Sequence, residues 1–145
     1  MNSTASIFMI AGSEATATLL SGLTYHLPMN PEKMRKLVED IRKQTQNEED
    51  LKIDNLRQLK YLQACFEEGL RVPSGLPRVT PKGTTYLRIL AYHEMRLILA
   101  KTLRNFDLEF PESRGAWMHQ KMWWGLWEKN PLMVRATAVK RRAHP

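Results

Sequence analysis

One cysteine, Cys65, is all that 145 residues provide. A lone thiol cannot form an internal disulfide or a multi-cysteine metal site, which excludes the disulfide-stapled scaffolds and the zinc-ribbon class. Long apolar runs are missing as well. The longest charge-free one, Ala5 to Gly12, is far short of the roughly 20 residues that a membrane-spanning helix needs. No basic stretch precedes it, so a secretory leader is not expected. Internal repeats and low-complexity tracts are absent too. The sequence therefore predicts a soluble, reduced and unanchored chain.

What is present is globular in composition, 43% hydrophobic and 26% charged, and of a length that makes one domain or part of one. The net charge of +7 is unevenly placed. Residues 111–145 carry seven basic and two acidic side chains, including the run Lys140, Arg141, Arg142. Three consecutive basic residues are a weak footprint for nucleic acid, and a solvated terminus accounts for them better. No nucleic-acid partner is expected.

Four segments read as helices. From Ser3 to Tyr25, Ile7, Ile10, Ala11, Leu19, Leu20 and Leu23 fall on one face. Gly12 and Gly22 weaken that segment by about 1 kcal/mol each relative to alanine. Asn30 before Pro31 is a start signal: Asn can cap, and proline at the first helical position gives up no needed N–H. Met34, Leu37, Val38 and Ile41 then predict a helix to about Gln44, followed by a loop from Thr45 to Asp50. A third helix is predicted from Asp54 to Arg71, with Leu56, Leu59, Leu62, Phe66 and Leu70 inward. Five proline and glycine residues from Pro73 to Gly83 interrupt regular structure. A fourth helix is predicted from Leu87 to Arg104, with Leu90, Ala91, Ile98 and Leu99 on its stripe. Two short runs, Asp107 to Phe110 and Leu132 to Ala136, are candidates to pair as strands.

Two motifs carry the functional signal. Ala11-Gly12-Ser13-Glu14-Ala15-Thr16 lies in the first helix, and Glu68-Gly69-Leu70-Arg71 ends the third. Glu and Arg three apart share a helix face and can pair. Alone, each motif is commonplace. In this order, and with the text around them, they resemble the C-terminal half of a cytochrome P450, a haem-thiolate monooxygenase. AGSEAT is similar to the oxygen-binding stretch of that family's long central helix. YLQACFEEGLR is similar to the helix bearing its ExxR pair, and SGLPRVTPKG to the segment that follows in fungal secondary-metabolism members. LAYHEMRLILAKTLRNFDLEF resembles the helix after the haem-ligand loop, and WEKNPLMVRATAV the last strands.

The resemblance implies a mainly α fold: P450-like C-terminal helices over residues 1–110, then a loop and a small β element over 111–145, together an incomplete P450 domain. It implies haem as cofactor, a hydrophobic small-molecule substrate, NADPH-cytochrome P450 reductase as partner, and the endoplasmic reticulum membrane as the usual location, reached through an N-terminal anchor not found in this chain. It also exposes a departure. Counting back from Leu90-Ala91, the axial cysteine position of the family falls on Thr85 and the following glycine position on Leu87. The segment that normally separates PKG from LAY is reduced to a few residues after Gly83, so the haem-ligand loop is missing. Cys65, on another helix, reads first as a small buried hydrophobe.

The remaining site expectations follow the family's pattern residue by residue. Glu14 matches the acid of its proton relay, but Ala15 stands where an alcohol is expected, with Thr16 one place on. One residue is about 100° of helical rotation, which aims Thr16 elsewhere unless the helix opens locally. Glu68 and Arg71 match the structural pair. Arg78 stands where a basic residue often faces a haem propionate. His93 and His119 are conceivable iron ligands but read first as surface groups. The expectation is a P450-like chain that is inactive as it stands; the alternative is a non-catalytic helical remnant or interaction protein, with Trp117, Trp123, Trp124 and Trp127 as a sticky patch.

Overall fold

The computed structural model describes residues 16–71, 85–110, 117, 121–123, 126–128 and 130–139, with backbone alone at 85–88, 121–123 and 126–128. Helix α1 covers residues 16–26. It is followed by α2 (Pro31–Gln44), a 3₁₀ turn (Glu48–Asp50), α3 (Ile53–Arg57), α4 (Lys60–Arg71) and α5 (Thr85–Asn105). Strands β1 (Phe106–Glu109), β2 (Lys121–Trp123), β3 (Leu126–Glu128) and β4 (Arg135–Ala138) form two antiparallel pairs, β1 with β4 and β2 with β3. The fold is mainly α with a small β element, as the sequence implies.

Helix α2 begins at Pro31, but its start differs in chemistry from the expectation. The Asn30 side chain does not cap it. Instead Nδ2 of Asn30 donates to the His26 carbonyl at 2.9 Å, closing the end of α1. The Asn30 carbonyl accepts from Met34 N–H, so the residue serves both helices.

The predicted helix from Asp54 to Arg71 is broken at Gln58-Leu59. There the Leu59 and Gln58 N–H groups reach back three residues, to Leu56 and Asn55. The break has a packing reason. In an unbroken helix Leu62 would sit about 120° round from Leu56. With the break, Leu56, Leu59, Leu62 and Phe66 are all within 1% of full burial. Leu70, expected inward, is instead 44% exposed. Gly69 takes the inward place beside it.

Helix α5 also departs from the expected stripe. Leu99 is buried, but Leu90 and Ile98 are exposed. The buried stripe is Met95, Leu99, Ala100 and Leu103. The helix is apolar on more than one side, so periodicity alone does not choose which face meets the core. One core gathers Leu19, Leu23 and Leu27 of α1 and its end with Leu37 and Ile41 of α2, the α3–α4 leucines, and the α5 stripe.

The expected strand pair is present, with β1 shifted one residue earlier and β4 starting three residues later and ending two later. Phe106 faces Ala138 and Glu109 faces Arg135 in the register. The β2–β3 hairpin was not anticipated. Trp117, named above as part of a sticky patch, stacks on Tyr25 at 4.6 Å between ring centres and is buried. It therefore seals the end of α1.

Candidate functional site

Helices α1 and α4 meet at Gly69, inside the Glu68–Arg71 motif. A β-carbon there would lie 2.8 Å from Leu19 Cδ1 and 3.0 Å from Leu23 Cδ2. Glycine is what lets the two helices approach this closely. The helix that bears Glu68 and Arg71 is thus in direct contact with α1, on which Thr16, the last residue of the first motif, lies.

On the outer side of α4, Arg71 holds Glu68 with a two-pronged bond. Nε donates to Oε2 at 2.7 Å and Nη2 to Oε1 at 2.6 Å. The hydrogen bond from Arg71, with its charge adding, draws the Glu68 carboxyl below its ordinary range; the same bond pushes the Arg71 guanidinium up. Both side chains stay more than half exposed. The fork is formed, yet nothing among the described residues buries it, and solvent screens such a pair.

Thr16 lies near the start of α1, buried, on the face it shares with Leu19, Leu23 and Leu27. Its hydroxyl belongs to the core side of the helix. Glu14, Arg78 and His119 lie outside the described residues. Thr85 opens α5 and is described by its backbone alone. His93 is half-buried on α5, with a buried Nδ1 that meets no hydrogen-bond partner among the described residues.

The haem-thiolate centre that the resemblance implies needs an ionised sulfur with an open approach. Cys65 supplies neither. It is half-buried against the core, and burial pushes its thiol up, offset only in part by the positive charge of Lys33 on α2. No group of three or more His, Cys, Asp and Glu side chains gathers among the described residues. These residues do not fit a thiolate-ligated haem.

Two arginines that the sequence reading passed over organise the core beside the motifs. Arg42 of α2 donates to the Leu103 carbonyl at 3.0 and 3.1 Å and to Asp107 Oδ1 at 2.7 Å. Arg104 of α5 donates to the Thr45 carbonyl at 2.7 Å, the Gln46 carbonyl at 3.0 Å and Glu48 Oε2 at 3.1 Å. The available signal was their place in the last turn of a helix, where arginine can satisfy orphan carbonyls.

The family described as Cytochrome P450 matches residues 1–86. The cytochrome P450 monooxygenase FUM2 of Gibberella moniliformis is 37% identical, over 97% of this chain and 44% of its own length. The cytochrome P450 monooxygenase efuB of Hormonema carpetanum is 36% identical over 97% and 41%. A trichothecene C-4 hydroxylase of Trichoderma arundinaceum is 32% identical over 90% and 41%. The chain thus spans less than half the length of these relatives. The FUM2 alignment extends over 207 positions against 145 residues here, so roughly 60 positions fall opposite gaps in this chain. No solved structure matches it. With more than half of its residues matched by the family, and with relatives above 30% identity along nearly its whole length, the chain belongs to the cytochrome P450 family.

Proposed function

We propose that this chain derives from a haem-dependent monooxygenase of fungal secondary metabolism and that, lacking the haem-ligand loop between Gly83 and Leu87, it does not turn over by itself. The observation that carries this reading is where the family match stops. It ends at residue 86, whereas likeness to whole relatives runs on across nearly the entire chain. A missing internal segment at that junction accounts for both facts, and for the roughly 60 unmatched positions of the FUM2 alignment.

By family, the whole enzyme inserts one oxygen atom into a hydrophobic substrate and draws electrons from NADPH-cytochrome P450 reductase. The haem supplies the oxygen chemistry when bound. In this chain Glu14 is the candidate proton donor and Thr16 the nearest hydroxyl. Glu68 and Arg71 are the pair that steadies the loop region, and Arg78 is the candidate propionate partner. No helix among the described residues is long and apolar enough to cross a membrane.

A second reading, a non-catalytic interaction protein, draws on the exposed Leu90 and Ile98 of α5. One experiment separates the two. The chain is expressed as it stands and with a relative's N-terminal half and haem-loop segment supplied, the latter between Gly83 and Leu87, and haem content is measured in each. Haem gained only in the repaired chain supports the monooxygenase reading. No gain in a folded, repaired chain favours the interaction protein.

A further inference from the structure

The seam where α3, α4 and α5 converge holds a recess of about 290 Å³ with an unusual charge arrangement. Arg57 enters from α3, Gln63 and Glu67 from α4, and Tyr92, His93 and Arg96 from α5. One Arg96 nitrogen donates to Gln63 Oε1, and Gln63 Nε2 donates in turn to Glu67 Oε1 at 3.0 Å. The guanidinium of Arg96 also lies over the Tyr92 ring, 5.5 Å from its centre. These contacts fix Arg96 in one orientation and leave its other N–H groups without an acceptor among the described residues.

Arg57 forms no ion pair among the described residues, yet it is near enough for its charge to act on Arg96, whose guanidinium burial already lowers. Two like charges facing one recess repel unless something negative lies between them. Glu67 also lines the recess and its carboxylate offsets one of the two charges, but it accepts from Gln63 and ion-pairs with neither arginine among the described residues, so one positive charge is left over. The buried His93 Nδ1 adds a third polar atom without a partner. The recess has room for one tetrahedral oxyanion and a few waters, each water taking about 30 Å³.

We propose that this recess binds a phosphate group, held by the Arg57 and Arg96 guanidinium forks with His93 at its edge. Arginine forks match phosphate oxygens in spacing as well as charge. The site is independent of the haem chemistry and rests on none of the motif residues.

Equilibrium dialysis of the full chain against inorganic phosphate, at constant ionic strength in chloride, tests it. A small phosphomonoester forms a second arm, to tell free phosphate from a phosphate carried on a larger molecule. One phosphate per chain is expected, with a dissociation constant on the order of millimolar. Arg57→Gln, at an exposed position, should keep the helical circular dichroism and weaken binding by about tenfold or more. Arg96→Gln should weaken it at least as much. Arg35→Gln, an exposed arginine elsewhere on α2, should leave it unchanged. Binding of either phosphate source with this pattern supports the site. No saturation, or an equal loss in Arg35→Gln and Arg57→Gln, overturns it as mere attraction to a chain of charge +7.

Discussion

Arg42 and Arg104 cap each other's helices: Arg42, in the last turn of α2, bonds the carbonyl of Leu103 at the end of α5, while Arg104, in the last turn of α5, bonds the carbonyls of Thr45 and Gln46 just past α2. Each helix ends with carbonyls that have no partner within it. The exchange gives partners to Leu103 in the last turn of α5 and to Thr45 and Gln46 just past α2, and ties the two C-termini side by side. Burial separates the two arginines. The Arg104 side chain is 3% exposed, that of Arg42 31%.

That difference predicts unequal mutational costs. Arg104→Gln should lower stability by about 3 kcal/mol, since it removes charge-assisted bonds and strands the carbonyl of the buried Thr45. Arg42→Gln should cost about 1 kcal/mol, because water can replace part of what it loses. Urea midpoints of the two variants check the order. Equal costs would show that the buried clamp does not govern the α2–α5 contact.

A second prediction concerns Gly69. Alanine gains about 1 kcal/mol of helix propensity over glycine, but its methyl would press on Leu19 and Leu23, both nearly fully buried. Overpacking of this kind typically costs about 1–3 kcal/mol. Gly69→Ala should therefore be near neutral to mildly destabilising, whereas Gly69→Val should lose about 3 kcal/mol or more. Thermal melts of both variants decide it. A tolerated valine would mean that α1 and α4 do not meet as described.

These residues also show what the sequence could and could not convey. The two motifs were legible because family text surrounds them, and α2 because Pro31 and a clean i, i+3, i+4, i+7 pattern define it. The inward faces of α4 and α5 were not. Leu70 obeys the helical period yet lies outside, because Gly69 is the residue that admits α1. Leu90 and Ile98 are as apolar as Met95 and Leu103, and only the packing of neighbouring elements selects between them. The Arg42–Arg104 exchange joins positions about sixty residues apart, beyond the reach of any local pattern. The exposed Glu68–Arg71 pair was legible from spacing, but the two-pronged grip of the arginine on the carboxylate was not.

The third prediction addresses Cys65. Burial raises its thiol and the native state keeps it neutral, so an aromatic disulfide reagent at pH 8 should react with it about tenfold or more slowly than in urea. The sign of the linked stability follows. A thiol whose folded value is raised contributes stability that is present below the unfolded value and is lost as pH rises through the thiol range. Stability should thus decline on the alkaline side, and Cys65→Ala should remove that part of the decline. When the chain is mixed with haemin, reduced and exposed to carbon monoxide, no long-wavelength Soret band dependent on Cys65 should form. A stable band abolished by Cys65→Ala would falsify the conclusion that this thiol is no haem ligand.

The last prediction separates the proton relay from the missing ligand, and it uses a repaired chain. A relative's N-terminal half and haem-loop segment are supplied, the latter between Gly83 and Leu87, until haem is retained. Ala15 then still lacks a hydroxyl beside Glu14, and Thr16 is directed to the core side of α1 with Leu19 and Leu23. General acid–base groups typically contribute about 10²–10⁴-fold. Ala15→Thr should therefore raise product formed per electron consumed and reduce peroxide release, with haem content and substrate binding nearly unchanged. The opposite pattern is equally readable. If the repaired enzyme is already well coupled and Thr16→Ala uncouples it, the α1 helix opens locally and Thr16 is the relay. If neither substitution changes coupling, protons arrive by another route, and Glu14 to Thr16 lose their assigned role while the helix packing at Gly69 stands.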